Sequence, residues 1–426
     1  MDTAAASLEL FRQHLIDPEV CIRCNTCEAT CPIGAITHDG RNYVVDPGKC
    51  NFCAACIPPC PTGAIDNWRV TVRAAAYPTA EQLRWDELPP ELSLDQLDAL
   101  EAPGMPMRTA PAPEMAVAGS EEARFDVSQY ASTVPPWSAA HAYVQLYGPR
   151  SARKEVVATV AGNMRVTEVG REYDTHHIVL DFGAMPFPVL EGQSIGVIPP
   201  GADAQGRAHH ARQYSVASPR NGERPGYNNA ALTVKRVLED RQGRAVRGVA
   251  SNYLCDLKVG DEVRVIGPFG ASFLMPNHPR SHIVMVCTGT GSAPMRAMTE
   301  WRRRLRRSGK FESGRLMLFF GARTRAELPY FGPLTNLPRD FIDVNLAFSR
   351  EPGQPRRYVQ DLMRERAADL GALLADAQTH VYVCGLKSME EGVVLALRDV
   401  AQQAGLSWEA LGPALQTQGR LQLETY

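Results

Sequence analysis

The hydrophobic pattern changes period along this chain, and the changes divide it. From Arg153 to Pro276 the apolar runs are short and β-branched: KEVVATVAGNMRV, THHIVLDFG, SIGVI, ALTVKRV and DEVRVIG, separated by turn residues. Short strands punctuated by turns predict an antiparallel barrel. From His282 the runs HIVMVCTGTG, RLMLFFGAR, FIDVNLAFS and HVYVCGL are apolar throughout. Helical stretches such as PMRAMTEWRRRLRRS and SMEEGVVLALRDVAQQAG come between them. Apolar strands alternating with helices predict a parallel sheet covered on both faces. Between Tyr77 and Pro136 the text turns to Ala, Pro, Glu and Ser. That predicts a linker, stiffened where proline is dense, with short helices over TAEQLRWDEL and ELSLDQLDALEA. The expectation is a multidomain α+β and α/β chain: a small module over 15–72, a linker over 73–148, a barrel over 149–278 and a Rossmann-like domain over 279–426.

The first module carries eight of the 11 cysteines, in two copies of C-x2-C-x2-C-x3-C-P: Cys21, Cys24, Cys27 and Cys31, then Cys50, Cys53, Cys56 and Cys60. This is the ligand run of two-cluster bacterial ferredoxins, in which the fourth cysteine of each run ligates the other cluster. Cys21, Cys24, Cys27 and Cys60 are expected to hold one 4Fe–4S cluster, and Cys50, Cys53, Cys56 and Cys31 the other. Three thiolates two residues apart reach one cubane only if the chain coils tightly, and Pro32 and Pro61 end the coil. CPIGAI after the first run answers CPTGAI after the second, as in an internal duplication. Zinc, which favours paired knuckles in tetrahedral sites, and a disulfide framework are the alternatives.

At 426 residues the chain has room for two or three domains. A formal net charge of −2 gives no support for nucleic-acid or anionic-membrane binding. No apolar run approaches the roughly 18 residues of a membrane helix. The opening MDTAAASLELFRQHL lacks a positive stretch before an apolar core, so a cytoplasmic protein is expected.

Three motifs span the larger half: RQYSVAS with Arg212, Tyr214 and Ser215; GVASNYL from Gly248 to Leu254; and TGTGSAP from Thr288 to Pro294. In the last, glycine lets the backbone approach a phosphate, and the helix behind it offers free N–H groups. With GQSIGVIPPGADAQGR, GPFG, FSRE, YVQ, VYVCGLKSMEEG and a terminal ETY, these motifs closely resemble the plastid-type ferredoxin–NADP+ reductases from about Gly192 to Tyr426.

The resemblance implies an FAD-binding barrel and an NADP(H)-binding domain. It implies that Arg212 meets the FAD pyrophosphate, Tyr214 packs on the flavin, Ser215 faces its N5 region, and Gly248, Val249 and Ser251 receive the FAD phosphates. Thr288, Gly289, Thr290, Gly291 and Gly385 would line the NADP(H) groove. Ser349, Arg350, Arg356 and Tyr358 would contact the 2′-phosphate, where arginine offers paired donors. Cys384 and Glu424 would sit by the nicotinamide, and Tyr426 would stack on the flavin. Cys255 and Cys287 are expected to be packing residues. One departure stands out: where the family places a tyrosine against the FAD adenine, this chain has Leu238.

NADPH gives two electrons at once, iron–sulfur clusters accept one each, and a flavin can do both. The order of ferredoxin module, long linker and reductase resembles the reductase component of the aerobic benzoyl-CoA epoxidase system. That resemblance implies a separate diiron oxygenase as acceptor. A general NADPH:ferredoxin oxidoreductase and a non-enzymatic electron carrier are the other readings.

Overall fold

The computed structural model describes residues 10–426 except 20, 24, 58, 59, 61, 91, 93–129, 131, 138, 170–172, 241, 242 and 312. They fall into two compact units. One takes the described residues up to 92 together with Gly332–Pro338; the other takes the described residues from 130 onward without that segment.

In the first unit β1 (Leu10–Leu15) pairs antiparallel with β4 (Asn67–Val72), and β2 (Ile36–His38) with β3 (Tyr43–Val45). A short helix, α1 (Thr26–Thr30), lies within the first cysteine run. The duplication is visible bond by bond. Cys21 N–H donates to Asp17 O and Cys50 N–H to Asp46 O, each at 3.0 Å. Asp17 N–H donates to Ala64 O and Asp46 N–H to Ala35 O, so each half closes on the other. Residues expected to begin the linker pack here instead. In α2 (Thr79–Gln82) the buried Gln82 amide donates to Val45 O at 2.8 Å, because strand β3 leaves a carbonyl that burial requires to be satisfied. The second expected linker helix lies outside the described residues apart from Leu92.

In the second unit β5 (Val156–Arg165), β6 (Thr175–Asp181), β7 (Ser194–Ile198), β8 (Arg212–Ser215), β9 (Asn229–Lys235) and β10 (Glu262–Phe269) form one antiparallel sheet in the order β8-β7-β10-β5-β6-β9. A bridge between Val216 and Leu232 joins the edge strands, closing the predicted barrel around Val160, Ile178, Ile195, Leu232 and Val265. Helix α3 (Val249–Asp256) packs its Leu254 and Cys255 into that core. The second layer is a parallel sheet of β11 (His282–Thr288), β12 (Leu316–Ala322), β13 (Ile342–Phe348), β14 (Thr379–Gly385) and β15 (Leu421–Thr425), in the order β13-β12-β11-β14-β15. Helices α4 (Ser292–Arg307), α5 (Val359–Glu365), α6 (Ala367–Ala375), α7 (Lys387–Gln403) and α8 (Trp408–Thr417) connect its strands. The described residues from 132 to 148, expected as linker, belong to this unit: Trp137 Nε1–H donates to Met275 O at 2.9 Å, and Leu190 and Leu274 pack beside Ala139 and Ala142.

Candidate functional site

Chain order in the parallel sheet reverses between β11 and β14, and ligands of open α/β sheets bind outside the strand ends at such a point. There the chain gathers Thr288–Gly291, Cys384–Gly385 and Glu424–Tyr426. Cys287 pairs with Cys384 across β11 and β14, and Cys384 with Glu424 across β14 and β15. A Cβ on Gly291 would stand 2.1 Å from Cys384 O, and one on Gly385 2.5 Å from Thr288 Oγ1. Only glycines let these two strand ends touch. Tyr426 is tied down: its N–H donates to Gly385 O at 2.9 Å, and its hydroxyl meets Thr290 Oγ1 at 2.5 Å.

The charge state of this corner follows from burial. Glu424 Oε2 is buried with no hydrogen-bond partner among the described residues, and burial pushes the carboxyl up to about 7. Burial, then Glu424 and Cys287, pushes the Cys384 thiol well above its ordinary range. The corner therefore offers a protonated thiol and an acid poised near neutrality.

On the flavin side, Tyr214 is half-buried against the barrel core, and burial pushes its hydroxyl up to about 12. Ser215 pairs with Ser194, and Arg212 is exposed with its guanidinium on His210 O at 3.0 Å. Ser251 Oγ accepts the Val237 N–H at 3.1 Å and donates to Gly248 O at 3.3 Å. Gly248 is required there, since a Cβ would stand 2.8 Å from both Ser251 Oγ and Val237 Cβ. Val249 opens α3, whose Gly248 N-cap supplies no side-chain bond, so its first N–H groups remain available to a phosphate. Arg296 of α4 joins the two sides by donating to Ala217 O at 2.9 Å, two residues beyond Ser215.

Ser349 and Arg350 follow β13, and Arg356 and Tyr358 precede α5. The Arg357 N–H to Phe348 O bond, 3.1 Å, closes the loop between them. Arg350 and Arg356 are exposed, with no ion pair among the described residues, as a phosphate site needs. Asp361 accepts the Tyr358 N–H at 2.8 Å, fixing the start of the helix.

In the first unit Cys21, Cys27 and Cys60 line one pocket with Ile16, Ile22 and Tyr43. Cys24 lies outside the described residues. Burial, and then the thiols of Cys31, Cys50 and Cys53, push Cys56 up to about 11. Thiols that influence one another in this way become thiolates together only beside a cationic centre. Arg23 and Asn25 in the first run, and Phe52 and Ala54 in the second, take left-handed φ of 58°, 60°, 61° and 57°. Non-glycine residues persist there only when the surroundings over-determine them, and the repeat at equivalent positions fits coiling around a cluster. Ala35 N–H donates to Cys31 Sγ at 3.3 Å. Among the described residues no three ligating groups are gathered as around a single metal ion. Cys31, Cys50, Cys53 and Cys56 lie near enough for the first three to act on the last, as the ligands of one centre would.

Two residues carried no sequence signal for the places they hold. Cys287 is buried beside Cys384, visible only once strand register is known. His14 is buried with Nδ1 4.0 Å from Cys50 Sγ, and nothing in a lone histidine marks that.

Residues 285–394 match the oxidoreductase NAD-binding domain family and residues 20–64 the 4Fe-4S dicluster domain family. The chain is 37% identical over 273 residues to the cyanelle ferredoxin–NADP reductase of Cyanophora paradoxa, covering 62% of this chain and 74% of that protein. It is 36% identical over 293 residues to the ferredoxin–NADP reductase of Thermosynechococcus vestitus, covering 66% and 75%. The fold is similar to the ferredoxin–NADP+ reductase structure from Plasmodium falciparum, with a TM-score of 0.52 at 19% identity, covering 66% of this chain and 99% of that one. No helix among the described residues is long and apolar enough to cross a membrane.

Proposed function

Because the chain belongs to the ferredoxin–NADP reductase family and carries a 4Fe-4S dicluster domain, we propose that it oxidises NADPH at a bound FAD and sends the electrons singly through two 4Fe–4S clusters to a separate oxygenase. The observation that carries the reading is the alignment of Cys384 with Glu424 beside Tyr426, at the point where the parallel sheet reverses order. Bound FAD supplies a centre that accepts an electron pair and releases single electrons.

The residues do the rest. Thr288, Gly289, Thr290, Gly291 and Gly385 admit the NADPH backbone. Ser349, Arg350, Arg356 and Tyr358 hold its 2′-phosphate, which selects it over NADH. Cys384 and Glu424 line the nicotinamide without a full negative charge. Tyr426, held by Thr290 and Gly385, would cover the flavin and give way to nicotinamide. Arg212, Tyr214, Ser215, Gly248, Val249 and Ser251 hold the flavin and its phosphates. The cluster module, barrel and nucleotide domain correspond to about 15–72, 149–278 and 279–426. The two crossed thiol sets hold the clusters, and a reducing cytoplasm suits them.

For the acceptor, the order of the parts supports a diiron oxygenase that epoxidises benzoyl-CoA. No pair of Glu-x-x-His motifs stands in the chain itself. The test is an anaerobic NADPH titration of the holoprotein, followed by addition of oxygenase. Flavin and cluster absorbance should bleach, and the oxygenase should restore both. Clusters that stay oxidised beside bound FAD would refute the scheme. Reoxidation by unrelated ferredoxins but not by the oxygenase would remove that partner alone.

A further inference from the structure

We propose that Glu390 and Thr425 are positioning residues that set how firmly Tyr426 covers the flavin. This rests on the reading of Tyr426 as the ring that nicotinamide displaces. Glu390 stands in the first turn of α7, with its side chain 4% exposed. A carboxylate so deeply buried needs donors for both oxygens. Lys387 Nζ supplies bonds of 2.9 and 2.8 Å, one to each oxygen, and the Thr425 hydroxyl donates to Oε2. Lys387 also donates its main-chain N–H to Tyr426 O at 3.1 Å, so one residue holds the carboxylate at one end and the tyrosine at the other. The bonds close a loop through Thr425, Glu390, Lys387 and Tyr426. Beside it, Gly385 O accepts the Tyr426 N–H at 2.9 Å, and Leu386 N–H donates to Thr288 Oγ1 at 3.3 Å.

Helix chemistry alone does not account for this arrangement. A carboxylate in the first turn suits a helix N-terminus, and a lysine three residues away suits the carboxylate. Neither calls for a hydroxyl 35 positions away on β15. Thr425 pairs with Gly385 across β14 and β15, and Tyr426 follows it directly. A hydroxyl bonded to a carboxylate is held about twice as strongly as one bonded to a neutral group. The main chain beneath the ring is therefore clamped at both residues. Beyond the clamp Tyr426 is 53% exposed, and its hydroxyl meets Thr290 Oγ1 at 2.5 Å. With the main chain fixed, the ring uncovers the flavin by rotating about its own side-chain bonds, and the contact with Thr290 is the one it must break. A looser clamp lowers the fraction of molecules in which the ring occupies the nicotinamide site. The apparent affinity for nicotinamide nucleotides rises with the fraction left open.

The full-length oxidised holoprotein is titrated with NADP+ and, separately, with 2′-phospho-AMP, which carries the 2′-phosphate and adenine without the nicotinamide. Thr425→Val removes the hydroxyl at nearly constant shape. It should tighten NADP+ about tenfold, the low end for one charge-assisted bond, and leave 2′-phospho-AMP unchanged. The flavin absorbance change induced by NADP+ should grow with it. Glu390→Gln, which loses the charge but can still accept the hydroxyl, should move NADP+ the same way by less. Thr425→Ser should restore the unsubstituted values. A merely structural role would weaken both nucleotides together, and that result would overturn the inference, as would unchanged NADP+ affinity in Thr425→Val and Glu390→Gln. Should Thr425→Val lose its FAD, Glu390→Gln decides alone. Tyr426→Ser separates the two levels of the argument. If it fails to tighten NADP+ relative to 2′-phospho-AMP, the reading of Tyr426 is refuted; tightening there without any in the clamp variants refutes this inference alone.

Discussion

Replacing Glu424 by Gln should stabilise the protein, and more so at high pH. The carboxyl is buried, one oxygen has no partner among the described residues, and burial moves it from 4.5 to about 7. The folded state therefore keeps a proton that the unfolded chain releases between those values. The stability cost is small at low pH, grows as pH rises toward 7, and is constant above it. A shift of this size corresponds to ~3 kcal/mol when fully developed. At about pH 5 only ~1 kcal/mol of it has appeared. Glutamine keeps the shape and has no charge to desolvate. The Glu424→Gln variant should thus gain ~1 kcal/mol at about pH 5 and ~3 kcal/mol at about pH 8, the latter near 6 °C in Tm for a unit of this size. Flavin fluorescence released on heating the holoprotein follows this unit, and the two scans are compared with those of the unsubstituted chain. An equal gain at both pH values, or a loss at the higher one, would refute the burial argument. Slower hydride transfer should accompany the gain, because a carboxyl kept where it destabilises is kept for chemistry.

Arg350→Ala should raise KM for NADPH about 10- to 100-fold and leave NADH nearly untouched, the loss expected for one charge-assisted contact of ~1.5–3 kcal/mol; equal losses with both would remove the 2′-phosphate assignment. Tyr426→Ser should raise the NADH to NADPH activity ratio, since it removes the ring held by Thr290; an unchanged ratio counts against that ring as a gate. Gly291→Ala should abolish nicotinamide binding and lower Tm, because its methyl would stand 2.1 Å from Cys384 O; retained NADPH binding by calorimetry would contradict the close approach. Cys60→Ala should remove the iron held by Cys21, Cys24 and Cys27 and spare the other cluster; iron analysis showing the opposite would reverse the crossed pattern.

Much of this was legible because local chemistry repeats or alternates. Period-two runs such as KEVVATVAGN give the alternating burial of β5, and the fully apolar HVYVCG gives the fully buried β14. Paired cysteine runs announce themselves through spacing alone. The ends of the linker were not legible. Ala–Pro text reads as unstructured, yet Gln82 enters the first unit through its amide, and Trp137 reaches Met275 with its indole N–H. Both are single polar side chains satisfying distant backbone, and such contacts have no periodicity to reveal them. The same holds within the site. Glycines of the TGTG loop are conspicuous, but the carbonyl that Gly291 must avoid belongs to a strand almost a hundred positions away.

Least legible is how the flavin and nicotinamide sides are held in register. Hydride transfer tolerates little misplacement, and an error of about 1 Å can cost a hundredfold. Helix α4 starts at the TGTG loop, and Arg296, one turn in, bonds Ala217 O just past the flavin-side strand. The same guanidinium makes two 2.7 Å bonds to the buried Glu223. Glu223 faces His177 of β6 at 3.5 Å, and His177 Nδ1 meets the Tyr330 hydroxyl at 2.7 Å, with Thr233 on the same oxygen at 2.8 Å. Burial alone would raise the Glu223 carboxyl, but Arg296 and His177 hold it well below its usual range, so the ion pair persists. Removing one partner of such a pair costs about 3–5 kcal/mol, although apolar residues of equal volume could pack as stably. Stability therefore does not explain the network. Apolar faces slide over one another, whereas a bidentate pair has one length and one angle. A chain that must keep two binding sites aligned gains more from that fixed geometry than from further apolar burial.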